Sequence, residues 1–154
     1  MVNKKFNFIA EISANHNGSL ANAKKLIKIA KKYGADSVKI QTYEPDDITI
    51  NSKLEQYKIK QGLWKNYYLY DLYKKAHTPK KWFKPLLNYS KKIGIHLFTS
   101  VFDVDTVDFL EKNNCPIYKI ASPEITHIPL IKRVAKTRKP MIISTGMASI
   151  KEIE

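Results

Sequence analysis

The sequence predicts an α/β protein, a TIM-type (β/α) barrel truncated to about its first five βα units. Three observations carry this. First, Lys32-Tyr33-Gly34-Ala35, Lys92-Ile93-Gly94, Lys112-Asn113-Asn114-Cys115 and Arg138-Lys139-Pro140 each close a basic helix just before an apolar strand. Repeated βα units imply a parallel sheet with helices outside it. Second, polar groups follow every strand: Glu11, Lys39 with Gln41, Ser100, Lys119 with Ser122, and Ser144 with Thr145. In a barrel, chemistry gathers at the C-terminal rim of the strands. Third, the first turn, Ser13 to Ser19, lacks the G-x-G-x-x-G of a doubly wound dinucleotide-binding sheet. A closed barrel needs eight strands and about 250 residues, so 154 residues read as the N-terminal part of a longer barrel.

In chain order, Phe6 to Ile12 is predicted as a strand with Asn7, Ile9 and Glu11 on one face. After the turn-rich Ser13 to Ser19, Leu20, Ala23, Ile27 and Ala30 recur at helical spacing, capped by Asn17 or Ser19 and stopped at Gly34. Ser37 to Thr42 is the second strand. Its Val38 and Ile40 face one way, and Ser37, Lys39 and Gln41 the other. Residues 43–78 break the rhythm with Pro45, Gly62, Trp64 and many tyrosines, an inserted excursion that serves either as a binding loop or as a seal against the body. Thr78-Pro79 opens a helix running to about Lys92, and Ile95 to Thr99 is a strand. Asp103 to Lys112 is a helix, Ile117 to Ala121 a strand, Ile128 to Lys136 a helix and Met141 to Ser144 a strand, and a last helix begins at Ile150.

Composition narrows the function. Hydrophobic residues make up 44%, enough for a core, and 27 Lys and Arg against 14 Asp and Glu give a net charge of +13. Only Arg133 and Arg138 are arginines. The lysines fall mostly on helix faces and in last turns, where solvation and the helix dipole account for them. Without a recognised reading module this argues against nucleic acid as a partner, while the positive field suits an anionic substrate. One cysteine, Cys115, excludes an internal disulfide framework. No apolar run approaches the ~20 residues of a membrane helix, and Met1 to Lys5 lead into a strand and not a signal peptide core. The cytoplasm is the expected compartment.

Lys39 and Lys119, with hydroxyl residues nearby, form either a clamp for a phosphate or carboxylate or a pair that reaches solvent at the rim. The turn Ser144-Thr145-Gly146, entering a helix, adds a possible backbone anion seat. Glu11 is either an acid-base group or a partner for a lysine. His16, His77, His96 and His127 have no metal-ligand spacing and read as loop or surface histidines; Cys115, before Pro116 at a strand entrance, reads as structural.

Four motifs at successive strand ends are more specific: Ala10-Glu11-Ile12-Ser13-Ala14-Asn15-His16-Asn17-Gly18, Val38-Lys39-Ile40-Gln41-Thr42, Tyr118-Lys119-Ile120-Ala121-Ser122 and Ile143-Ser144-Thr145-Gly146-Met147-Ala148. Together they resemble the sialic acid synthase family over essentially the whole chain. With Gly62-Leu63-Trp64 and Leu69-Tyr70-Asp71-Leu72-Tyr73, they are most similar to the pseudaminic acid branch, the N-acetylneuraminate branch being the near alternative.

The resemblance implies condensation of phosphoenolpyruvate with an amino sugar on a (β/α) barrel, usually followed by a small antifreeze-like domain. The acceptor is 2,4-diacetamido-2,4,6-trideoxy-L-altrose in the pseudaminic branch and N-acetylmannosamine in the other. By the same resemblance Lys39, Ser100, Lys119, Ser122 and Ser144 hold phosphoenolpyruvate. Glu11 and Gln41 face the sugar, Glu11 is the catalytic residue that orients or deprotonates water, and Phe102 and Trp64 pack against substrate. A divalent metal (Mn2+, Mg2+ or Co2+) polarises the sugar aldehyde through two histidines on later strands, and members are homodimers through the antifreeze-like domain. These later strands and that domain are expected to be absent here, leaving no metal ligands and an inactive chain. Val101 stands where the family usually has a proline, which is expected to loosen the backbone at Ser100. Two readings of other classes compete: a Schiff-base aldolase using Lys39 or Lys119, and a non-catalytic remnant that keeps only an anion site.

Overall fold

Alternation of apolar and polar residues divides the sheet into two faces. The computed structural model describes residues 7–154; Met1 to Phe6, and with them the expected strand start, lie outside the described residues. Five strands, β1 (Ile9–Glu11), β2 (Ser37–Gln41), β3 (His96–Val101), β4 (Tyr118–Ile120) and β5 (Met141–Ile143), pair in parallel in chain order. A sheet that advances one strand at a time is a barrel wall. A doubly wound sheet would reverse its strand order at a switch point.

Val38, Ile40, Leu97, Val101, Tyr118 and Ile120 form one core with residues of the helices. These are Ala23 and Ile27 of α1 (Leu20–Lys32), Phe83 and Leu86 of α3 (Phe83–Ile93), Leu110 of α4 (Val104–Lys112), and Leu130 and Val134 of α5 (Ile128–Ala135). Each fully buried aliphatic or aromatic side chain of this kind contributes about 1.5–3 kcal/mol. Helix and sheet are therefore held together on one face. The alternate residues, among them Glu11, Lys39, Gln41, Ser100 and Lys119, stand on the other.

Local chemistry sets the helix ends. Ser19 Oγ accepts from the Asn22 N–H at 3.2 Å and starts α1, and Asp103 accepts from the Thr106 N–H at 3.0 Å and starts α4. Gly94, in the left-handed region at φ +72°, ends α3. The helix expected from Thr78-Pro79 begins instead as a 3₁₀ turn, Lys80–Trp82, and becomes α-helical at Phe83. The excursion holds two 3₁₀ turns, Pro45–Asp47 and Glu55–Tyr57, an antiparallel bridge between Lys58 and Tyr68, and α2 (Leu69–Ala76).

Two expectations are corrected. Val101 does not loosen the backbone beside Ser100, because it is buried and continues β3 in register with Ile120. The turn Ser144-Thr145-Gly146 does not lead directly into a helix: α6 (Ile150–Ile153) begins later behind Ser149, which exchanges hydrogen bonds with Glu152.

Candidate active site

The parallel register brings the polar residues of four strands into adjacent rows. Glu11 is the ladder partner of Lys39, and one step along the strands Gln41, Ser100 and Lys119 are successive partners. All stand on the face away from the helices, near the C-terminal ends. The two lysines expected to act together do converge, close enough that the charge of Lys39 lowers the pKa of Lys119.

Each group already has a local partner. The Lys39 ammonium is paired with Glu11 Oε2 and donates to Ser100 Oγ at 3.2 Å. Glu11 uses its other oxygen to accept the Ser13 N–H at 2.9 Å, so one carboxylate ties the strand end to the loop that follows. The lysine-pairing alternative for Glu11 is therefore realised. Lys119 Nζ donates to the Ile120 carbonyl at 2.5 Å. Burial, then Lys39, lower its pKa, partly offset by Glu124 and Glu11.

Ser122 and Ser144 join the β4 and β5 ends. The Ser144 N–H donates to the Ile120 carbonyl at 3.1 Å, and Ser122 Oγ accepts from the Met147 N–H at 2.8 Å. Phe102 packs edge-on against Tyr43, ring centroids 5.2 Å apart. Trp64 belongs to the excursion. It lines a cleft of about 380 Å3 with Ala14, Asn17, Leu72 and Ala76, between the excursion and the loop after β1.

Two residues of this region escape a reading by strand alternation. Glu124 lies in a 3₁₀ turn, Ser122–Thr126, its Oε2 buried without a hydrogen-bond partner. Burial raises its pKa, and Lys119 and His127 act against that rise. An acid two residues after the strand-end serine was the available signal. His16, expected as a loop or surface histidine, lies in the loop after β1 but is fully buried there. Its ring meets Trp82 edge-on at 5.3 Å.

Chemically, the arrangement sets ammonium and hydroxyl groups side by side, with the carboxyl groups of Glu11 and Glu124 close by, an array able to donate hydrogen bonds to an oxyanion. Among the described residues no three His, Cys, Asp or Glu side chains come together as a metal-binding group. No helix among them is long and apolar enough to cross a membrane.

A model of the NeuB family matches residues 26–154. The chain is 44% identical over 146 residues to a pseudaminic acid synthase of Helicobacter pylori, covering 95% of this chain and 43% of that protein. It is 47% identical over 150 residues to one of Campylobacter jejuni, covering 97% and 44%. Among solved structures, an N-acetylneuraminic acid synthetase from Leptospira borgpetersenii in complex with citrate superposes with a TM-score of 0.79 at 31% identity, covering 95% of this chain and 46% of that one. The chain thus spans less than half the length of the curated relatives it matches.

Proposed function

This chain belongs to the NeuB family, and on that premise we propose that its strand ends grip phosphoenolpyruvate for condensation with 2,4-diacetamido-2,4,6-trideoxy-L-altrose, giving pseudaminic acid and phosphate. The observation that carries the reading is the adjacency of Lys39, Ser100 and Lys119 on one face, with Ser122 and Ser144 at the next two strand ends. Ammonium and hydroxyl groups both donate to oxyanions, and charge-assisted bonds of this kind are the strong ones.

Phosphate and carboxylate would displace the internal partners of the two lysines. Lys119 gives up a backbone carbonyl. Lys39 gives up Ser100 or Glu11 and turns those hydrogens to the anion, which frees the Glu11 carboxylate beside the strand end that carries Gln41. Released from Ser13 or Lys39, Glu11 takes a proton from the water that adds to the enol-derived carbon. Burial raises the Glu124 pKa, which disfavours a further negative charge beside the incoming anion. The divalent metal that the family resemblance implies would polarise the sugar aldehyde; the described residues themselves bind, orient and handle protons.

Calorimetric titration of this chain with phosphoenolpyruvate tests the donor seat, with pyruvate as the control lacking phosphate. Binding of the first alone is expected, and no binding of either would overturn the reading. Phosphate release with the altrose and not with N-acetylmannosamine would assign the acceptor, and the reverse preference would assign the N-acetylneuraminate reaction instead. Lys119, with its lowered pKa, is the residue a Schiff-base aldolase would use. Borohydride in the presence of pyruvate is expected to trap nothing.

A further inference from the structure

The seat faces one side of the sheet, and a chain of buried polar groups runs behind it on the other. His16, Thr78, Thr42 and Thr99 are all fully buried. His16 Nδ1 accepts the Gly18 N–H at 3.1 Å, which leaves the ring proton on Nε2, 3.3 Å from Thr78 Oγ1. Burial, then the neighbouring His77, lower the pKa of this imidazole and favour the neutral form that such bonding needs.

Thr78 closes the excursion. It bridges Thr42, and its N–H donates to the Gln41 carbonyl at 3.2 Å. The Thr42 N–H donates to Thr99 Oγ1 at 3.0 Å, and that hydroxyl lies 2.9 Å from the Ser100 carbonyl. The loop after β1, the end of the excursion and the ends of β2 and β3 are therefore joined through one imidazole. Among neutral side chains only histidine offers an acceptor and a donor on a rigid ring with this separation. A leucine would fill the space and leave the Gly18 N–H and the Thr78 hydroxyl without their partner.

We infer that His16 is a positioning residue: through Thr78 it sets the end of β2 so that Gln41 meets the acceptor sugar. The sugar-facing role of Gln41 rests on the reading above, whereas the linkage from His16 to Gln41 stands on the contacts alone. The two are separable by experiment. In 15N-edited spectra of the free chain, the Gln41 side-chain amide is expected to shift or broaden in His16→Leu and in Thr78→Val, and to return toward wild type in His16→Gln, whose amide can donate to Thr78.

Dissociation constants then read the functional half. Acceptor sugar is expected to bind about tenfold more weakly to His16→Leu and Thr78→Val, with phosphoenolpyruvate within about twofold of wild type. A residue that only stabilised the fold would reduce the binding-competent fraction and weaken both apparent constants by the same factor. Equal weakening of both ligands, or an undisturbed Gln41 amide, would overturn the inference. Thr78→Val keeps the test decisive should His16→Leu fail to fold. A shifted Gln41 amide in a chain that binds neither ligand would remove the sugar-facing role and leave the His16 linkage standing.

Discussion

The two ends of the sheet carry the same ingredients, a lysine, a glutamate and a hydroxyl, and use them differently. At the C-terminal end Lys39 meets Glu11 and Ser100. At the N-terminal end of β4, Glu111 Oε1 accepts both the Tyr118 hydroxyl at 2.5 Å and Lys139 Nζ at 2.6 Å, with Arg133 bound to Asp108 beside it. The lower cluster is anchored on a buried ring: Tyr118 is fully buried, and its hydroxyl and the Lys139 ammonium converge on one carboxylate oxygen. The upper one is open. Lys39 has capacity beyond its two partners, and the Lys119 ammonium holds only the carbonyl of the next residue.

Breaking the upper cluster gives the largest expected effect. Lys39→Ala is predicted to weaken phosphoenolpyruvate binding by about 10- to 100-fold, the worth of one or two charge-assisted hydrogen bonds. Stability should change by less than about 1 kcal/mol, since Glu11 is 40% exposed and regains water. Titration and urea denaturation on the same sample check both halves.

The lower cluster should answer in the opposite sense. Lys139→Ala or Glu111→Gln is expected to cost about 1–3 kcal/mol and leave phosphoenolpyruvate binding unchanged. Burial alone would raise the Glu111 pKa, but the hydrogen bonds from Lys139 and Tyr118 and the charges of Lys139 and Arg133 outweigh it, so the value is lowered. The folded state therefore binds this proton less tightly than the unfolded chain. Its stabilisation is present above the ordinary carboxylate value of about 4.3 and is lost as pH falls through the folded value. The stability gap between wild type and Glu111→Gln, followed by urea denaturation, should close on acidification.

Strand alternation made much of this site legible. A period of two places Lys39 with Gln41, and parallel pairing then adds Ser100 and Lys119 without further information. Legibility ended where the chain leaves the strands. Glu124 sits in a 3₁₀ turn with no simple facing rule. The burial of His16 depends on left-handed backbone at Ala14, Asn17 and Gly18, and an alanine gives no sign of positive φ. The course of residues 43–78, which sets Trp64 around one cleft with Asn17, Leu72 and Ala76, is encoded by no local pattern.

Glu124 sharpens the comparison at smaller amplitude. Its pKa is raised by burial, in contrast to Glu111, so it gains its charge at a higher pH than an unperturbed carboxylate. As pH rises through that value, an added negative charge should weaken anion binding several-fold. Glu124→Gln imitates the protonated form, and the ratio of its phosphoenolpyruvate affinity to that of wild type should grow with pH. A ratio that stays flat would place Glu124 outside the seat.

The smallest effect concerns Cys115, which lies near the lower cluster. Burial pushes its thiol up to about 12, and Sγ donates to the Ile117 carbonyl at 3.3 Å, so almost no thiolate exists at pH 8 and the folded chain should resist a thiol reagent. Labelling then requires opening, and its rate under slow-labelling conditions reports the free energy of that opening. Glu111→Gln removes support beside Cys115 and should accelerate labelling, whereas Lys39→Ala, acting at the far end of the strands, should leave it at the wild-type rate. Equal acceleration in both variants would mean that the two ends open as one unit and that the upper cluster, too, holds the fold together.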